Sequence, residues 1–123
     1  MATLTAKITL TSSDLLTDAL SLAITDSLSV LGRTVQKTVV TSVTAAVFLD
    51  KDNFTDSYVF LLNKSTDASE IIHIRSDGTG SADIISLGAE EFAFFPWSSD
   101  EDLVYDAASG TPVLEVLLFQ KVA

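Results

Sequence analysis

The chain lacks cysteine altogether and has one histidine, two prolines and seven basic residues among 123. Without cysteine there is no disulfide framework, thiolate zinc site or cysteine nucleophile, and stability must come from packing or assembly. The lysine and arginine content faces 17 acidic residues, a formal charge of -10. That balance supplies no basic stripe for a phosphate backbone and no basic helix for a membrane surface. No stretch approaches the ~18 apolar residues of a helical membrane span. The segment Met1 to Leu10 alternates Thr with apolar residues. It has neither the basic region nor the continuous apolar run of a signal peptide, so cytoplasmic synthesis without an export tag is expected.

What is present is apolar and uncharged. Hydrophobic residues make up 47% of the chain and charged residues 20%, while 15 Ser and 14 Thr supply most of the remaining polarity. Apolar residues are spread along the whole length, which argues against disorder. One domain over residues 1–123, large enough for one core, is the expectation.

The apolar period is two nearly everywhere. Leu4, Ala6, Ile8 and Leu10 alternate with Thr and Lys, the signal of a half-buried strand. Ser12-Ser13-Asp14 is able to cap a single helical turn over Leu15 to Leu20. From Leu20 the alternation resumes, turns at Asp26-Ser27, and runs through Leu28 and Val30 to Gly32. Arg33 to Asp50 is rich in Val and Thr, whose branched side chains favour one long bent strand or two strands. Tyr58 to Leu62, Ile71 to Arg75, Asp83 to Leu87, Glu91 to Phe95, Leu103 to Tyr105 and Val113 to Phe119 read as further strands. Between them lie turn segments such as Ser76-Asp77-Gly78-Thr79-Gly80-Ser81 and Ser109-Gly110-Thr111-Pro112. The expected class is all-β: a jelly roll or β-sandwich of about eight to ten short antiparallel strands.

The catalytic inventory is thin. His73 sits in a strand between Ile72 and Ile74, without the further His or Cys that a zinc site or an activated nucleophile needs. Glu90 and Glu91 are adjacent, so on a strand they point to opposite faces and make no glycosidase pair. Gly78-Thr79-Gly80 lacks the following Lys of a phosphate loop and reads as a hairpin. Asp50, Asp52, Asn53 and Asp56 form one oxygen-rich cluster, and Asp100, Glu101, Asp102 and Asp106 another. The first lacks the glycine and distal glutamate of an EF-hand loop, and solvation of the loops explains both. No catalytic residue, cofactor or metal site is therefore expected. Phe92, Phe94, Phe95 and Trp97 form the densest aromatic segment, with Phe95 and Trp97 as the candidate partner interface. Two-sided burial is the competing reading of that segment.

Three segments resemble a group of small structural proteins in the virions of marine and cyanobacterial tailed phages. They are Tyr58-Val-Phe-Leu-Leu-Asn-Lys-Ser-Thr-Asp-Ala-Ser69, Leu87-Gly-Ala-Glu-Glu-Phe-Ala-Phe-Phe-Pro96, and the closing strand Val113 to Phe119. Leu16 to Leu22 also fits, while Gly88-Ala89-Glu90 departs from the usual Pro-Gly turn. The resemblance implies a non-enzymatic jelly-roll or sandwich module that cements or decorates a capsid, or builds a tail part. It also implies a major capsid protein or other virion protein as partner, a homo-oligomer (a trimer favoured) and a place on the outer surface of the capsid. The alternative expectation is a tail-tip, fibre or adhesin module that binds a surface glycan, with or without calcium.

Overall fold

The computed structural model describes residues 2–14, 20–77 and 82–122. These contain nine strands and one 3-10 turn, and no α-helix among them. The expected class is what the structure shows: all-β, with antiparallel pairing in two sheets. The expected alternative of a helical turn over Leu15 to Leu20 falls mostly on residues 15–19, outside the described residues. The chain divides into two compact units, Met1–Gly32 (with Val122) and Arg33–Lys121.

The first unit is a hairpin of β1 (Ala2–Ser12) and the opening part of β2 (Leu20–Val40). Its register is unbroken from Ala2 opposite Val30 to Ser12 opposite Leu20. Directly opposed residues share a face, so the period of two sorts the side chains. Leu4, Ile8 and Leu10 lie opposite Leu28, Ile24 and Leu22, and Thr3, Thr5 and Thr11 lie opposite Ser29, Ser27 and Ser21. Asp26 and Ser27, expected as a turn, stay in the strand because Ala6 and Thr5 pair with them. Gly32, expected to close a strand, also lies within β2.

The second unit is a sandwich. One sheet runs β2, β9 (Val113–Lys121), β4 (Ser57–Asn63), β7 (Phe92–Trp97). The other runs β3 (Ala46–Leu49), β8 (Leu103–Ala107), β5 (Ile72–Ser76), β6 (Ile85–Leu87). Burial alternates residue by residue along β4 and β9. Val59 and Leu61 thereby join Leu114, Val116 and Leu118, and from the other sheet Ile72, Ile74, Leu103 and Tyr105, in one core. Burying each such aliphatic side chain contributes about 1.5–3 kcal/mol. A bulge at Phe48 shifts the pairing of β3 with β8. The Lys37 ammonium donates to the Phe48 carbonyl. The turn before β9 needs Gly110, whose φ is +66° and whose missing Cβ would press on the Glu70 carboxylate.

Candidate functional site

The two outer faces of the sandwich differ in chemistry. On the β8–β5–β6 side, His73 lies opposite Asp106 and Ser86, and Arg75 lies one residue pair further along. The Arg75 guanidinium donates to Asp106 at 2.8 Å and to Asp83 at 3.0 Å, and His73 Nδ1 is 3.7 Å from the other Asp83 oxygen. The bonds to Asp106 and then Asp83 hold the Arg75 pKa above its ordinary value. Donor atoms of His73, Asp83 and Asp106 lie within 4.8 Å of one another. The cationic place between the two carboxylates, however, is taken by Arg75. A charged, hydrated face of this kind is what an antiparallel sheet ordinarily turns to water.

The other outer face is apolar. Tyr58 and Phe60 on β4 point away from the core, as do Phe92 and Phe94 on β7 and Leu117 and Phe119 on β9. Phe60 stacks on Phe92 and Tyr58 on Phe94, with ring centroids 6.0 and 6.1 Å apart. Both are diagonal neighbours across the strand pair, the reach at which aromatic rings still meet. Lys121 Nζ lies 4.9 Å from the Tyr58 ring centroid and gives this face a positive border. Mutual packing leaves most of these rings half-buried, while Phe92 is 67% exposed. Glu115 shares this face opposite Leu62, and its carboxylate lies 3.7 Å from Lys64 Nζ.

Phe95 and Trp97, the sequence candidates for a partner interface, stand on the inward side of the same strand. Phe95 packs against the core; Trp97 is 6% exposed, meets Phe54 and donates from Nε1 to the Glu101 carbonyl. Both line a shallow cleft of about 380 Å³ beside Ile84 and Leu103. The outward rings Phe92 and Phe94 were legible only as members of the aromatic segment.

The two acidic loops spend carboxylates on backbone amides. Asp50 accepts from Asp52 N at 2.9 Å, capping the 3-10 turn Lys51–Asn53, and Asp102 accepts from Lys51 N at 2.8 Å. Ser99 ties the loops further by donating to the Lys51 and Phe54 carbonyls. Asp106 is not part of either loop; it lies on β8 and pairs with Arg75. Glu91 accepts from Gly88 N across a turn, and Glu90 adopts φ 63° within it. The Gly78-Thr79-Gly80 segment lies outside the described residues.

A polar hub, Asn63, is fully buried at the end of β4. Its Nδ2 donates to the Glu70 and Leu87 carbonyls and its Oδ1 accepts from Ser65 N. The backbone of Asn63 also exchanges hydrogen bonds with Glu90 and Glu91. Sequence reading places it only at the start of a turn.

No protein-family model matches the chain, and no curated protein matches it. Among solved structures it is similar to a chain described by the words "Bacillus endospore appendages form a novel family of disulfide-linked pili". The TM-score is 0.51 at 14% identity, over 76% of this chain and 90% of that one. At that identity the likeness shows the fold, a β-sandwich, and nothing of its use.

Proposed function

We propose that the protein is a non-enzymatic structural subunit that works by being assembled, and that it decorates or cements a phage capsid. The observation that carries the first part is the aromatic outer face of β9, β4 and β7. A soluble antiparallel sandwich ordinarily turns polar residues to water, and apolar patches of several hundred Å² mark interaction sites. The virion setting rests on the sequence resemblance. The similar pilus chain is described as disulfide-linked, a chemistry unavailable to a chain without cysteine. Assembly here relies on non-covalent packing.

The glycan-binding alternative has less support from the side chains. Sugar platforms use exposed rings with a polar handle, whereas Trp97 is buried with its indole N–H already bonded and most outward rings are Phe. Quantitative mass spectrometry of purified particles tests the proposal. Several hundred copies on the shell are the expected result for decoration at a copy on the order of one per capsid subunit contact. Absence from particles, or a handful of copies, overturns it.

A further inference from the structure

A second apolar surface lies on the hairpin unit. Beyond Ala6 and Asp26 the apolar face consists of two opposed pairs, Ile8 with Ile24 and Leu10 with Leu22. They are 44%, 51%, 51% and 42% exposed, respectively. A two-stranded hairpin gains little stability by itself in water, and this one leaves its largest side chains in contact with solvent. Its four side chains and the aromatic face of the sandwich are both β-surfaces. Each repeats at about 7 Å along a strand and about 5 Å between strands, the spacing at which two sheets interdigitate about 10 Å apart.

We infer that the hairpin of one copy packs its Ile8, Leu10, Leu22 and Ile24 face onto the aromatic face of a second copy, around Phe60, Phe92 and Phe94. One contact thereby covers both unpartnered surfaces. The hairpin patch is bordered by one acid, Asp26, whereas the sheet face carries Lys121 and, opposite Leu62, Glu115 paired with Lys64, a net positive border. Asp26 lies one place along from Ile24 on the hairpin face, and Lys121 lies over Tyr58 on the sheet face. A hairpin-to-hairpin pairing joins two acidic borders, and a sheet-to-sheet pairing joins two net positive ones. Like charges disfavour both alternatives. The contact is heterologous, so copies add head to tail and close into a ring or continue.

Its size sets its strength. The hairpin patch is on the order of 300 Å² per partner, well under the ~800 Å² per partner of a stable two-body interface. A single contact is weak, and assembly depends on each copy making two. The inference deepens the reading of an assembling subunit but does not depend on the capsid. Particle copy number tests the setting, and the following experiment tests the contact.

Sedimentation velocity would be run from micromolar to millimolar concentration on three full-length proteins: wild type, a hairpin variant (Leu10→Ser, Ile24→Ser) and a face variant (Phe92→Ser, Phe94→Thr). Circular dichroism controls for folding. Wild type is expected to associate with rising concentration, and each variant to need at least ~10-fold more protein. At the millimolar end of the range, a one-to-one mixture of the two variants is expected to form more dimer than either variant alone, because one intact hairpin meets one intact face in a single weak contact. Wild type that stays monomeric overturns the proposal. So does either variant assembling like wild type, or a millimolar mixture that forms no more dimer than the separate variants. A crosslinking test is independent of variant folding defects, since the chain contributes no thiol of its own. Under oxidation, Ile24→Cys protein mixed with Phe92→Cys protein is expected to yield more mixed disulfide dimer than either yields alone. Equal or lower mixed yield overturns the contact.

Discussion

Asn63 has no solvent to fall back on, so its three side-chain hydrogen bonds are its whole polar satisfaction. Replacing it with Ala leaves the Glu70 and Leu87 carbonyls and the Ser65 N–H without that partner. The expected loss in Asn63→Ala is about 2–4 kcal/mol, read from urea unfolding midpoints. Asn63→Asp should be no better, because a carboxylate keeps the acceptor and loses both donors. Lys37 makes a second residue-scale case. Burial pushes its pKa below the ordinary lysine value. The protonated form therefore opposes folding at neutral pH, and the opposition lifts as pH rises from the folded value toward about 10.4. Wild type should gain stability relative to Lys37→Met as pH rises toward about 10.4; unfolding free energies at several pH values check this, and a constant difference would sink it. Neither residue announces itself in the sequence. Asn63 looks like ordinary turn chemistry, and Lys37 is one polar residue in a β-branched run, because burial of a polar side chain depends on contacts made far along the chain.

At the scale of the element, alternation was the most legible signal and its phase the least. Leu4 to Leu10 shows the period of two directly, whereas Tyr58 to Leu62 is a continuous apolar run and Val113 to Phe119 nearly one, so the alternating burial of β4 and β9 is not written in their composition. Which half of the aromatic segment faces inward depends on register with β4, where Phe95 meets Val59 and Phe94 meets Phe60. A slip of one residue would exchange the two sets. For the same reason Asp26-Ser27 reads as a turn in sequence yet lies in β2: a neighbouring strand supplies backbone partners that outweigh local turn preference. The division at Gly32 has no linker composition to mark it, since β2 runs through that position without interruption. Every member of the core cluster, from Phe48 to Leu118, belongs to the second unit. A chain beginning at Arg33 is therefore expected to unfold cooperatively, with a melting temperature within about 5 °C of full length. Differential scanning calorimetry checks this, and a non-cooperative or far lower transition would mean that the hairpin unit is needed for the core.

For the whole molecule, the formal charge of -10 acts against assembly of identical copies. Each copy brings the same excess of acid, and long-range repulsion between copies rises as ionic strength falls. The proposed contact, by contrast, is mainly apolar, and its local Asp26–Lys121 complementarity involves one pair against the whole excess. At ~0.01 M salt the screening length is about 30 Å, comparable to a small domain; at ~0.15 M it is about 8 Å. Repulsion between copies then reaches little beyond the contact itself, while apolar burial is unaffected. Association of the full-length chain is therefore expected to strengthen as sodium chloride rises from ~0.01 to ~0.5 M, with the larger part of the change below ~0.15 M. Sedimentation equilibrium at fixed protein concentration measures it. A salt-induced weakening would mean that opposite charges, rather than packed side chains, hold the copies together. It would then shift the interface toward the ion-paired face around Arg75, Asp83 and Asp106.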